Sequence, residues 1–455
     1  MDEKIPRCKI RFADDSNVGK DLYHREVSKM NCNTKNAKIA AITEKTLVVG
    51  IDVGSETHYA RAFDHRGIEF SKKAFAFSND EAGFLTFKAW AEDLAQKAGK
   101  NVIFPGMEPT GHYWFNLGKF LQDNGMRPVH VNPHHVKKTK ELDDNSPSKN
   151  DRKDPRVIAG LVNEGRYTYP YIPEGIYAEV RNYAYLKTQS VEQLIRIKNR
   201  LARWFSIYFP NYKDVYKNPG ATSGIMILKV APLPEDIVKL GEKAIEKIWR
   251  DAKVRAVGKK RAQTLVEAAM HSVGSKEAPG AARKELTYLL ADYEAQKSRL
   301  EELEAVLTEK VMEIPYIDKL MEIKGIGLTT AAGFIAEVGD ISRFDSPKQL
   351  QKLAGLAIVN NESGKHQGEH HISYRGRKRL RYVLYEAAVS VVSHNEDFKE
   401  IHHYYTTRQG NALKKMQSLI AVSCKLIRIF YTLLTKGVTY DAERMRGDIR
   451  RPQAA

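Results

Sequence analysis

The sequence predicts an α/β domain built on a mixed sheet, followed by a mainly α-helical domain, with a coiled-coil candidate between them. Three observations predict this. Apolar runs of strand length at 47–53 and 101–107 alternate with helix-period segments in the first third of the chain. From residue 178 onward the periodicity is helical, and 286–310 carries a heptad. Charged residues make up 28% and hydrophobic residues 42% of 455, the balance of a globular chain long enough for two or three domains.

Residues 1–45 are polar, mixed in charge and aperiodic, and are expected to form a flexible N-terminal arm. Residues 47–53 read as a buried strand. Residues 58–63 and 68–77 read as two more strands, with Asp64-His65-Arg66-Gly67 as the hairpin turn between them. Residues 81–98 have helical spacing through Phe84, Phe87, Trp90, Leu94 and Ala98, with Gly99 beyond. A fourth strand at 101–107, a helix at 112–124 and a short fifth strand at 127–131 follow. A three-strand meander and then alternating helices and strands make a mixed sheet with helices on its faces. Residues 134–148 read as a polar, basic connection holding Lys137, Lys138 and Lys140. After Asn150-Asp151-Arg152-Lys153-Asp154-Pro155 comes a helix start, so that this first domain spans 46–170.

A helical linker is expected over 171–314. Its long helix at 178–208 carries Arg181, Lys187, Arg196, Lys198, Arg200 and Arg203, and 210–280 breaks into short helices at Pro and Gly. In the heptad, Leu286, Tyr293, Leu300 and Leu307 share one seam position, and Leu289, Gln296, Leu303 and Lys310 the other. Such a helix can pair with a second copy or pack within the chain against 178–208. The last domain, 315–437, opens on Lys324-Gly325-Ile326-Gly327 between helical stretches at 317–323 and 328–338. Exposed N–H groups at such a helix start, with Lys324, Gly325 and Gly327, can hold a phosphate, although a plain helical turn explains the pattern equally well. Helices at 380–394 and 413–435 stop at Gly437, and 438–455 reads as a flexible basic tail.

The formal net charge of +17 points to a polyanion, nucleic acid above all. A basic protein without a particular partner fits less well, because the charge clusters. Within residues 361–381, the cluster after Ser363 holds Lys365, Arg375, Arg377, Lys378 and Arg379, interrupted by a single acid, Glu369. Such groups position a phosphate backbone rather than read bases. The cysteines Cys8, Cys32 and Cys424 form no C-x-x-C pair, so no zinc site or disulfide framework is expected, and reduced cytoplasm is the simplest setting. No apolar segment near residue 1 has the form of a signal peptide. Residues 419–434, with Lys425 and Arg428, read as too short and too charged to cross a bilayer, so no membrane is expected as partner.

Four carboxylates carry the chemistry. Asp52 closes the first apolar run and Glu108 follows the fourth strand. Asp151 and Asp154 stand three apart at a helix start. Each has a plain alternative: a strand cap, a charge near a helix N-terminus, or an N-cap. Gathered together they would repel one another unless a cation neutralised them. A pair of hard divalent ions with oxygen ligands does so and can drive phosphodiester cleavage. Gly54 in Asp52-Val53-Gly54-Ser55 would let backbone approach a phosphate or metal. The Asp52 motif alone suits an RNase-H-like nuclease or a sugar-kinase-like fold.

Gly50-Ile51-Asp52-Val53-Gly54, Met107-Glu108-Pro109-Thr110-Gly111 and Asn150-Asp151-Arg152-Lys153-Asp154 resemble the three acidic motifs of the DEDD transposases of the insertion sequence 110 family. Ile323-Lys324-Gly325-Ile326-Gly327, Glu337-Val338-Gly339-Asp340-Ile341, Leu353-Ala354-Gly355-Leu356 and Glu362-Ser363-Gly364-Lys365 resemble that family's second domain in the same order. The resemblance implies an RNase-H-like (RuvC-like) first domain whose acids Asp52, Glu108, Asp151 and Asp154 bind Mg2+ or Mn2+. It implies that Ser363 attacks a phosphodiester and becomes linked to DNA. It also implies donor and target DNA as partners, a guide (bridge) RNA, a homo-dimer or tetramer, and a bacterial or archaeal, cytoplasmic, nucleoid-associated setting.

On its own chemistry Ser363 is a poor nucleophile without a base or metal. Glu362 and His366 are the nearest bases in sequence, and metal activation would require the two domains to meet. Ser373 and Tyr374 are alternative nucleophiles. Two rival readings stay open here. One is a RuvC-like junction resolvase or nuclease acting through water, and the other is a non-catalytic nucleic-acid-binding scaffold.

Overall fold

In the computed structural model, which describes residues 35–71, 73–144, 154–359, 362–363, 366–367 and 371–447, the first apolar run becomes β1 (Thr46–Asp52), buried along its whole length except at Asp52. Short helix α1 (Lys35–Ala40) precedes it. β2 (Thr57–Phe63) and β3 (Phe75–Ser78) complete an antiparallel meander. β4 (Val102–Met107) and β5 (Val129–Val131) add in parallel on the other side of β1. A further strand that the sequence did not announce, β6 (Tyr167–Thr168), pairs antiparallel with β5. The six-stranded sheet therefore runs β3-β2-β1-β4-β5-β6.

Alternation along β1 divides the two faces of the sheet. Leu47, Val49 and Ile51 point into one core with Met107, Phe84 and Phe87, under α2 (Glu81–Lys97) and α3 (Trp114–Asp123). Val48 and Phe104 point into the other, with Val157, Ile158, Leu161 and Val162 of α5 (Asp154–Asn163). The tight turn before α2 is capped by Asp80, whose carboxylate accepts from the Gly83 amide at 2.7 Å.

Two expectations for this unit need correction. The third strand does not begin at residue 68: Phe63 bridges Glu69, whereas the main register pairs Ala60 with Phe75, so the chain between them leaves the ladder before β3 starts. Ile68 and Phe70 alternate like a strand yet are exposed. The polar connection at 134–148 is helical over α4 (Pro133–Asp144), which packs on α5. Val136 is its anchor in the core, and a single buried residue among the described side chains gives no periodic stripe to read.

The chain divides into two units, Met1–Pro173 and Glu174–Ala455. Two helices of 34 residues, α6 (Gly175–Tyr208) and α11 (Pro279–Met312), organise the second unit. They run antiparallel: Val180 and Ala184 share a core with Leu307 and Val311, while Leu201 and Trp204 share one with Leu286 and Leu289. The heptad at 286–310 thus meets a partner inside its own chain. Gln296 explains the polar break in its seam: its amide donates to the Ser190 carbonyl at 3.1 Å and to the Ser190 hydroxyl at 2.5 Å.

At one end of this helix pair, the core holds short helices α7 (Tyr212–Val215), α8 (Thr222–Val230), α9 (Pro234–Asp251) and α10 (Lys259–Met270). Trp204 and Trp249 are pinned there by hydrogen bonds from their indole N–H groups to Ala282 and Ser223 carbonyls. At the other end lie α12 (Ile317–Met321), α13 (Leu328–Val338), α14 (Pro347–Leu353), α15 (Lys378–His394), α16 (Glu396–Thr407), α17 (Lys415–Lys436) and α18 (Ala442–Gly447). Between α14 and α15 the chain forms two-residue strands, β7 (Ile358–Val359) with β10 (His371–Ile372), and β8 (Glu362–Ser363) with β9 (His366–Gln367).

Helix α17 has 22 residues and is long and apolar enough by composition to cross a membrane, which corrects the expectation that this stretch is too short. Its apolar residues are used otherwise: Val422, Leu426 and Phe430 lie fully buried in the core of this helical region.

Candidate active site

The acids of the first unit are placed by the sheet itself. β1 and β4 run parallel with Gly50 beside Gly106 and Ile51 beside Met107. Asp52 and Glu108 each come one residue later, at the same end of neighbouring strands. Alternation puts Asp52 on the face of Gly50, and Glu108 on the face of Gly106. That is the face covered by α5, because a Cβ on Gly50 would meet the Pro155 carbonyl oxygen at 1.8 Å and one on Gly106 would meet Val162 at 2.5 Å. Both glycines therefore let α5 lie against the strands, and α5 begins at Asp154. Three of the four predicted acids thus project on one face at one sheet end.

The electrostatics agree for two of them. Glu108 is half-buried, and desolvation raises its pKa; the Lys140 ammonium opposes that rise and the Asp154 carboxylate adds to it. Asp154 is 8% exposed and forms an ion pair with Lys140. A carboxylate buried this far needs such a partner. Among the described residues no three or more His, Cys, Asp or Glu side chains gather closely enough to enclose a metal ion. Asp151 lies outside the described residues. The donor set that is present nevertheless suits a hard cation: carboxylate oxygens, one partly desolvated, with two negative groups sharing one positive charge.

Lys140 was not predicted as a site residue. It sits one helical turn after buried Val136, so the helix period turns it toward α5. Gly54 has a local role. Its missing Cβ makes room for the Thr57 carbonyl oxygen, 2.3 Å from where that atom would be, and its amide donates to His58 Nδ1 at 3.2 Å. His58 is buried and its pKa is lowered by burial, with Asn79 opposing. His130, beside Met107 on β5, is lowered by burial to about 4.

In the second unit, Ser363 lies on β8 opposite His366 on β9. Lys365 lies outside the described residues. Gly325 (φ +99°) packs against α15, where its absent Cβ would stand 3.0 Å from Val391 Cα; its carbonyl accepts from the Ser390 hydroxyl at 2.7 Å. Gly327 is the extended N-cap of α13, and Lys324 is exposed beside it. Arg375 and Lys378 are exposed.

Arg377 and Arg379, expected at phosphates, have internal acceptors. Arg377 donates to the Glu337 carbonyl at 2.5 Å, and both guanidiniums flank the Glu337 carboxylate at 3.6 and 3.7 Å. Arg379 also donates to the Ala184 carbonyl at 2.8 Å and to the Thr188 hydroxyl. Tyr374 has a left-handed backbone (φ +53°), is exposed, and lies under the Arg381 guanidinium at 5.3 Å.

Comparison with known proteins agrees with both halves. Residues 49–210 match a transposase family model of the DEDD IS110 type, and residues 317–403 match the IS116/IS110/IS902 transposase family. The insertion element IS116 44.8 kDa protein of Streptomyces clavuligerus is 25% identical over 392 residues, covering 85% of this chain and 94% of its own length. The pilin gene-inverting protein of Moraxella bovis is 31% identical over 123 residues, 27% of this chain and 38% of its own. The IS1111A transposase of Coxiella burnetii is 28% identical over 122 residues, 27% of this chain and 34% of its own. The chain belongs to the IS110 family of transposases.

Proposed function

We propose that this transposase cuts and rejoins DNA strands to move an insertion sequence under the guidance of an RNA. In this reading Asp52, Glu108, Asp151 and Asp154 form a divalent-metal site in an RNase-H-like (RuvC-like) domain, and Ser363 is the nucleophile. The observation that carries it is the shared projection of Asp52, Glu108 and Asp154 on the α5 face at one sheet end. A bound Mg2+ or Mn2+ would supply polarisation of the scissile phosphate and charge stabilisation for the leaving oxygen.

The chain's own residues do the rest. The Ser363 hydroxyl attacks phosphorus, its proton passes to a base, and the deoxyribose oxygen leaves as a free hydroxyl. His366, opposite Ser363 in the β8–β9 register, and Glu362, its neighbour in sequence, are the candidate bases. Attack by a hydroxyl of the partner strand then restores the serine and closes the new phosphodiester. Lys324, Arg375 and Lys378 are exposed cations suited to the backbone, as Lys365 is by sequence, with Gly325 and Gly327 shaping the α13 start. Arg377 and Arg379 position α15 behind them. The net charge of +17 suits a protein that binds nucleic acid by shape and charge while a guide reads sequence. Strand exchange between two DNAs suits a dimer or tetramer, and the name of the pilin gene-inverting relatives suits strand exchange.

The test is trapping. Wild-type protein with donor DNA, guide RNA and Mg2+ is expected to give a denaturant-resistant protein–DNA adduct. Ser363→Ala should abolish it, and Asp52→Ala should abolish cleavage. Cleavage that persists in Ser363→Ala without any adduct would favour a metal-bound water and overturn the serine assignment.

A further inference from the structure

Lys140 is a cation seated on an acid of the candidate metal site, and nothing assigns it a role. We propose that Lys140 is the resident counter-cation of that site: its ammonium neutralises Asp154 before a divalent ion enters and withdraws when one binds. The inference rests on the metal-site reading above and adds a regulated step to it.

Three features of the fold support it. Lys140 Nζ forms an ion pair with Asp154 Oδ2, joining α4 to the first residue of α5. Both charges are felt at Glu108, where the Lys140 and Asp154 contributions have opposite signs, so three charged groups share one volume. The two ends of the ion pair also differ. The Asp154 side chain is 11% exposed and fixed at a helix start, while the Lys140 side chain is 35% exposed on a flexible four-carbon stem. One partner is held in place and the other is free to swing.

The consequence is competition. An ammonium and a divalent ion cannot share adjacent carboxylate oxygens, because like charges a few ångströms apart in a partly desolvated site repel strongly. Loading therefore requires Lys140 to leave Asp154. Val136, one turn earlier, is buried and keeps α4 docked, so the withdrawal needs side-chain rotation alone. The ammonium then joins exposed Lys137 and Lys138 at the solvent side of α4, where a DNA phosphate can take it up. Metal entry and backbone grip would thereby be coupled through one side chain.

The test is Mn2+ titration of the full chain, with free Mn2+ read by electron paramagnetic resonance. Lys140→Met keeps the length of the stem and removes the charge; it is expected to bind Mn2+ about tenfold more tightly than wild type, since the repulsion is gone. Lys140→Arg keeps the charge and is expected to bind within about twofold of wild type. Equal or weaker binding by folded Lys140→Met overturns the proposal and leaves the metal site standing. Tight binding by both variants overturns it as well, because packing rather than charge would then be the cause. Absence of Mn2+ binding by wild type and both variants overturns the metal-site reading and this proposal together.

Should Lys140→Met fail to fold, the wild-type protein still decides. Mn2+ is expected to raise the rate at which an amine reagent modifies Lys140, followed by peptide mass spectrometry. A rate unchanged at saturating Mn2+ overturns the proposal.

Discussion

Gly50 of β1 lies so close to Pro155 of α5 that a Cβ at residue 50 would stand 1.8 Å from the Pro155 carbonyl oxygen and 2.9 Å from the Ala159 amide nitrogen. Both obstacles are backbone and cannot rotate aside. Gly50→Ala must therefore push α5 off the sheet, at a cost of about 3 kcal/mol. Because Asp154 starts α5, the displacement also moves an acid of the proposed metal site. Strand transfer is expected to fall further than the loss of folded protein explains, measured at a temperature where the variant is still folded. Gly160→Ala on the same helix is the control: nothing lies within 4 Å of its Cβ, and the change should stabilise by roughly 0.5–1 kcal/mol. A Gly50→Ala protein with wild-type melting temperature would refute the close approach.

His130 predicts a pH dependence. Burial holds its folded pKa at about 4, below the usual 6.5, and its Nε2 is buried without a hydrogen-bond partner. The unfolded chain therefore binds the proton first as pH falls. The group's contribution is fully present above about 6.5 and is lost progressively as pH drops toward about 4, by up to about 3 kcal/mol. His130→Phe removes the titration and keeps a ring beside Trp114, whose centroid is 4.2 Å away. Urea denaturation between pH 7 and 4.5 should show wild type losing stability more steeply than the variant. Parallel slopes would rule His130 out as the cause.

Arg379 separates a structural role from a phosphate role. Its guanidinium joins α15 to α6 through the Ala184 carbonyl and the Thr188 hydroxyl, and flanks Glu337. Arg379→Ala leaves these groups short of a donor and should cost roughly 1–3 kcal/mol. Lys378→Ala, one residue earlier and exposed, should leave stability unchanged and lower the salt dependence of DNA binding by about one phosphate contact. Should Arg379→Ala melt like wild type while DNA binding drops, its side chain is a phosphate contact after all.

The contrast between these residues shows what a sequence can reveal. Asp52 and Glu108 are visible because a carboxylate at the end of an apolar run is costly unless something uses it. Gly50 and Gly106 are not, since a glycine in a strand does not announce which helix will lie on it. Lys140 was hidden with its helix: α4 buries Val136 and otherwise reads as a polar loop. Arg377 and Arg379 look like phosphate ligands because charge alone does not reveal that Glu337 flanks both and that Arg379 also reaches Ala184 and Thr188 within α6. The heptad of α11 was plain, but a heptad names a seam and not the helix on its other side.

Gln296 specifies that other side. Its amide reaches the Ser190 carbonyl and hydroxyl on α6, while its own oxygen accepts from Arg299 of α11 at 3.2 Å, so the buried polar break in the seam finds its partner across the seam in Ser190. Gln296→Leu should leave the Ser190 hydroxyl facing an apolar side chain and destabilise by about 1–2 kcal/mol. Adding Ser190→Ala should recover most of that loss, because an apolar pair of suitable volume replaces a hydrogen-bonded one at little net cost. The double variant would then keep its stability while losing the feature that sets α6 as partner and fixes its register, and a seam of that kind is free to pair with another copy. Sedimentation is therefore expected to show concentration-dependent association in the double variant beyond that of wild type. Identical sedimentation, together with additive stability changes in the two single variants, would mean that Gln296 and Ser190 are neighbours without coupling.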